Sequence, residues 1–123
     1  MKIENLDAFL DQAYKANFFN FLRTVDDWDY LLDKRDEDEF DALWVKHHEE
    51  LTSVNFKELS DESKIKKLRE HAFKATFHMT NNSEVAGYIS DDIGLLAEAL
   101  SKRKMTTWLE ALLSSYLSGR FPH

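Results

Sequence analysis

The side chains with which this sequence could do chemistry are chiefly carboxylates, and nine of its 23 acidic residues crowd into one segment. They are Asp26, Asp27, Asp29, Asp33, Asp36, Glu37, Asp38, Glu39 and Asp41, opposed there only by Lys34 and Arg35. Nine acids against two bases leave the segment at -7, the formal charge of the whole chain. The rest of the sequence is therefore balanced. Paired carboxylates can do acid–base work, but one of them must lie in a pocket with a shifted pKa. The spacing here predicts solvated acids instead. A block of one sign steers a basic partner and disfavours nucleic acid. Trp28, Tyr30 and Phe40 are interleaved with the acids, and aromatic anchors on a charged surface suit protein recognition. The plainer reading is a charged, solvated helix face followed by an acidic loop.

The other chemical patterns fail on spacing. A calcium loop wants Gly at its sixth position and Glu at its twelfth. Counted from Asp33 these are Asp38 and Trp44; counted from Asp36 they are Asp41 and His47. His47 and His48 are adjacent, so on a helix they diverge by about 100° instead of stacking one turn apart. His71 and His78 are separated by about 10 Å of helical rise, too far to share one ion easily. The glycines, Gly87, Gly94 and Gly119, form no phosphate-cradling loop, and there are no cysteines. No metal, cofactor or catalytic residue is expected, and the protein is read as a non-enzyme. Lys64, Lys66, Lys67, Arg69 and Lys74 are offset by Asp61, Glu62 and Glu70 and read as a solvent face. Lys102, Arg103 and Lys104 suit a helix C-terminus, where cations complement the dipole. Trp108 and Tyr116 read as core.

The elements that must carry the acidic block are helical. The chain has 123 residues, is 43% hydrophobic and 13% aromatic, and contains only three glycines and one proline. A single domain of this size leaves about 7,000 Å² exposed, enough burial for a core without disulfides. So few turn residues disfavour a β fold. Apolar stripes at helical spacing predict an all-α bundle of five to seven helices over residues 1–123. The first helix is expected over about 5–24, on Leu6, Phe9, Leu10, Ala13, Phe18, Phe21 and Leu22. A short second helix over 26–35 is capped by Asp26 or Asp27. A third covers 36–52, with its acids at the positive end of the dipole. Ser60 is expected to cap a helix over 61–79. Ser83 then caps one through Val85, Ala86 and Ile89, and Ser90 caps another through Ile93, Leu96 and Leu100. The last starts at Thr106 or Thr107 and stops at Gly119, before Pro122.

The N-terminus places Glu4, Asp7 and Asp11 where a secretion signal would be apolar, so no signal is expected. No apolar run reaches the length of a membrane span. With the missing cysteines, this points to the cytoplasm. A pI near 5.2 argues against direct binding of nucleic acid or anionic membrane.

A small, acidic, cysteine-free, all-helical chain without catalytic signatures resembles the helical immunity proteins of bacterial contact-dependent growth-inhibition systems. Its C-terminal part, from Glu84-Val85-Ala86-Gly87-Tyr88-Ile89-Ser90-Asp91-Asp92 to Gly119-Arg120-Phe121-Pro122, resembles small bacterial helical families. The resemblance implies tight binding to one cognate toxin without turnover. Toxins of that kind are often basic nucleases, including ones of the EndoU ribonuclease type. The expected contact set is Asp26, Asp27, Asp29, Tyr30, Asp33, Asp36, Glu37, Asp38, Glu39 and Asp41. Trp28 is either a second anchor or packed inward with Leu31 and Leu32. The alternative function is a helical adaptor or regulatory interaction module that binds through an apolar groove. Acids exposed in one patch favour the inhibitor; acids paired with lysines favour plain solubility.

Overall fold

A computed structural model describes residues 3–123; Met1 and Lys2, part of the N-terminal segment read for a secretion signal, lie outside it. Six α-helices and one 3₁₀ segment follow in order, with no strand among the described residues: α1 (Leu6–Ala13), the 3₁₀ turn (Asn20–Thr24), α2 (Trp28–Arg35), α3 (Asp38–Thr52), α4 (Leu59–Thr80), α5 (Ser83–Lys102) and α6 (Thr107–Leu117). The all-α expectation holds. Among the described residues, no helix is long and apolar enough to cross a membrane.

The fold is built around α5. Val85, Ile89, Ile93, Leu96 and Leu100 are buried on it, and so are Ala86, Leu95, Ala97 and Ala99 on its other sides. A helix that is apolar nearly all round must be central. α4 runs back along α5 as its main neighbour, and α1, α3 and α6 also pack on α5. The α4–α5 turn is tight because Asn81 adopts a left-handed conformation, φ 52°, one that Asn tolerates better than most residues.

Several boundaries differ from the sequence reading. The expected 5–24 helix is two pieces. Measured from Phe9 on one continuous helix, Leu22 would point about 140° away. Breaking at Tyr14 lets Phe9, Phe19 and Leu22 all become buried. Phe18 meets Phe19 edge-on at 4.9 Å in the turn. Ser60 is not a cap: α4 begins at Leu59 behind Glu58, with no side-chain cap bond. Asn82, not Ser83, caps α5, its Oδ1 accepting from the Glu84 and Val85 amides at 3.1 Å each. Ser90 starts no new helix; α5 continues through it. Its hydroxyl is buried and donates to the Arg69 carbonyl at 3.0 Å. The Asp27 and Thr106 caps and the Gly119 stop, at φ 73°, are as expected.

These caps are separable by mutation. Asn82→Ala should lower stability by about 1 kcal/mol. Ser83→Ala should change it by less than about 0.5 kcal/mol. Urea unfolding of the two variants checks the assignment.

Candidate functional site

All nine acids of residues 26–41 are exposed. Asp29, Asp33 and Asp36 recur at spacings of four and three and so form a row along α2. Asp38, Glu39 and Asp41 occupy the first turn of α3, where the helix dipole stabilises negative charge. Three acids have local partners. Asp27 Oδ1 accepts from the Tyr30 amide at 3.0 Å and caps α2. Asp36 accepts a hydrogen bond from the Tyr88 hydroxyl. Glu37 meets Lys34 at 3.5 Å, an exposed pair worth little. Asp26, Asp29, Asp33, Asp38, Glu39 and Asp41 make no side-chain ion pair or hydrogen bond among the described residues. Most of the surface charge is left without a counter-charge among the described residues.

The two bases of the segment part ways. Lys34 remains near the surface, 5.7 Å above the Tyr30 ring. Arg35 turns inward and is 4% exposed. Its guanidinium makes a fork with Asp92 of α5, Nη1 donating to Oδ2 at 2.9 Å and Nη2 to Oδ1. Nη1 also donates to the Pro122 carbonyl at 3.3 Å. Asp92 is fully buried and accepts two further bonds, from Trp44 Nε1 at 2.9 Å and the Tyr116 hydroxyl at 2.6 Å. One carboxylate thus gathers donors from α2, α3 and α6. The rings of Phe40, Tyr88 and Phe121 lie 4.5, 5.1 and 5.4 Å from the guanidinium carbon. Burial alone would lower the pKa of Arg35, but the Asp92 charge and hydrogen bonds outweigh it and raise it. The sequence marks Arg35 only as one of two bases opposing the acids and gives Asp92 no role. An Arg beside Leu31 and Leu32 at the end of a short amphipathic helix was the available signal.

Other side chains have structural duties. Tyr30 is 56% exposed, whereas Trp28 is half-buried and meets Phe121 edge-on at 5.3 Å. Trp28 therefore packs inward, and Tyr30 is the aromatic the acidic face presents. His47 is buried. Its Nδ1 bonds to the Leu43 carbonyl at 2.8 Å and its Nε2 meets Thr106 Oγ1 at 3.0 Å. A carbonyl can only accept, so Nδ1 carries the proton, and both nitrogens are engaged. Lys102 lies in the last turn of α5, as its dipole reading expects, and it is buried there. It donates to the Leu51 carbonyl at 2.7 Å and to Glu98, under the Phe56 ring. It thereby fixes the chain leaving α3. An open groove of about 1050 Å³ lies beside it, lined by Phe56, Leu59, Ile65 and Phe73.

The buried cluster has a pH signature. Burial and the neighbouring Asp92 push the Tyr116 hydroxyl well above its ordinary value. The hydrogen bond to Asp36, together with burial, pushes Tyr88 up to about 12. A raised folded-state pKa on a group that donates when neutral adds stability below the unfolded pKa, near 10, and loses it as pH climbs through the folded value. Stability should therefore fall between about pH 10 and pH 12. The fall should be shallower in Tyr116→Phe and Tyr88→Phe, as measured by urea midpoints across that range.

No curated protein matches the chain. An exposed acidic face braced from within suits a protein that acts by binding another, and the family comparison agrees. The chain matches the family described as Immunity protein PIM1 over residues 6–123, and it belongs to that family.

Proposed function

We propose that the protein neutralises a cognate bacterial toxin by laying the acidic face of α2 and the start of α3 over a basic active site, that of a nuclease. Membership of an immunity-protein family carries the toxin-neutralising role. The nuclease, the acidic face and a contact-dependent growth-inhibition setting extend that role. The observation that carries the extension is that six carboxylates between Asp26 and Asp41 have no internal partner among the described residues. Had they been paired with lysines, solubility would account for them.

A nuclease site holds phosphates and is basic for that reason. Carboxylates at fixed spacing on a helix can occupy the phosphate positions. Tyr30, projecting among them, adds apolar contact at low entropic cost, since it has two rotatable side-chain bonds. Complementary charge raises the association rate, which matters for an inhibitor that must reach its toxin before the toxin acts. Action is stoichiometric, in the cytoplasm, with no turnover and no cofactor. The contact set is Asp26, Asp27, Asp29, Tyr30, Asp33, Asp36, Glu37, Asp38, Glu39 and Asp41. Asp27 and Asp36 also have structural duties. The adaptor alternative would use the groove beside Phe56 and Phe73, and family membership favours the toxin reading over it.

The test pairs the protein with the toxin domain encoded by the neighbouring reading frame. Asp26, Asp29, Asp33 and Asp41 are changed together to lysine, leaving the α2 cap and the Tyr88–Asp36 bond intact. Association at about 0.05 M salt should slow by roughly tenfold or more. The gap should shrink at about 0.5 M, where screening shortens the reach of charge to a few ångströms. An unchanged low-salt rate would reduce the acids to a solvated surface.

A further inference from the structure

We infer that Arg35 is a positioning residue for the acidic face: its fork with Asp92, closed by the C-terminal Phe121-Pro122 segment, fixes the direction in which the carboxylates of α2 and α3 point. The inference rests on the binding role proposed above for that face. Its structural half stands independently.

Beside this fork, α2 is held by three apolar side chains, Trp28, Leu31 and Leu32, that pack on the core. It is eight residues long, and Leu32 and Arg35 are its only buried residues. An isolated helix of that length is unstable in water. Its exposed side is crowded with like charges, which repel one another. The position of α2 is therefore set by a few side chains. Leu32, with the partly buried Trp28 and Leu31, supplies apolar contact, which is less directional than a hydrogen-bonded pair. A two-bonded guanidinium–carboxylate fork supplies direction, because both groups are planar and the two bonds fix their relative orientation. Asp92 lies on the central helix, so α2 is registered against the most buried element of the fold. The same carboxylate takes the Trp44 indole, which registers α3 to the same point. The two acid-bearing helices share one reference atom group.

The tail completes the arrangement. Phe121 is 5% exposed, stacks edge-on with Trp28 of α2, and lies against Arg35. The Pro122 carbonyl takes a further Arg35 proton. The last residues of the chain therefore act as a strap over the clamp, excluding water from an ion pair that water would weaken. On the outside, the Tyr88–Asp36 bond ties the next residue of the α2–α3 junction to α5.

Charge and position make opposite predictions for loss of this arginine. Arg35→Gln removes a buried positive charge and leaves every exposed carboxylate in place. If charge alone mattered, the variant, now more negative, would associate with a basic toxin at least as fast. If position matters, long-range steering survives while the fitted complex is lost. Association should then change by less than about threefold, dissociation should speed up by tenfold or more, and Arg35→Lys should recover only part of the loss, since an ammonium cannot form the fork.

The experiment is amide hydrogen exchange on the full chain, with Arg35→Gln and, as a milder second variant, Phe121→Ala, which leaves no buried charge unpaired. Expected is a rise in exchange across α2 and the first turns of α3 at least tenfold greater than any rise at Leu68, Ile93 and Leu96. Exchange that stays at wild-type values in α2, or that rises equally in α2 and α5, overturns the inference. The neighbouring toxin domain serves as the binding probe for the same variants. An unchanged dissociation rate beside faster α2 exchange also overturns it. Should the wild-type protein fail to bind that domain, the toxin reading fails, and the exchange pattern alone decides whether Arg35 positions the face.

Discussion

The Asp92 carboxylate is the point on which the arrangement of helices depends. A buried, ionised carboxylate is costly unless its lone pairs are filled and a counter-charge is present. Here two guanidinium donors, an indole and a phenol fill them. Each donor comes from a fixed place in the chain, so satisfying the charge means bringing α2, α3 and α6 to one site on α5. Breaking one partner of such a buried pair typically costs about 3–5 kcal/mol, although an apolar replacement of the whole cluster can be equally stable. The cluster is thus better understood as specifying geometry than as supplying net stability. Apolar residues could have filled the same volume, but they would have allowed α2 to slide and rotate.

The sequence disclosed what periodicity can disclose. Stripes such as Ile65, Leu68 and Ala72, or Leu109, Leu112 and Leu113, repeat every three to four residues and end at Asn82, Thr106 or Gly119. Their helices were legible from the spacing of buried residues, and for the last helix the Thr106 cap and Gly119 stop point the same way. The α1 break was not legible. Phe18, Phe19, Phe21 and Leu22 are apolar at almost every position, and such a run fits a helix or a turn equally well. Ser90 misled for a related reason. A serine is a good cap when exposed, but on a central helix its hydroxyl can instead bond a neighbouring helix, as it does to the Arg69 carbonyl.

The acidic face was only half legible. Its charge and location are properties of composition, and exposure of all nine acids followed. What composition could not supply was the fate of the two bases within it. Arg35 and Asp92 are 57 residues apart, and nothing local marks them as partners. Lys102 shows the same limit: read as one of three cations at a helix C-terminus, it is also buried against the Leu51 carbonyl and Glu98. Long-range ion pairs are decided by tertiary packing, and a formal charge count treats every charge as external.

Internalising Arg35 changes the electrostatics as well as the geometry. With its charge turned inward and matched by Asp92, the exposed part of residues 26–41 keeps nine acids against Lys34 alone. The face is therefore more negative toward solvent than the segment's formal charge implies. Concentrating like charge on a short helix works against its folding. A fork to the central helix, an indole bond to α3 and a C-terminal strap oppose that tendency from inside, where salt does not screen them effectively. Preorganisation of this kind also bears on binding. A charged surface that is already ordered loses less conformational entropy on docking than one that must be assembled. Holding the carboxylates apart in the free protein shifts their mutual repulsion from the binding step to the folding step. A basic partner then relieves that repulsion when it docks. The same interior contacts that make the acidic face costly to fold make it ready to bind.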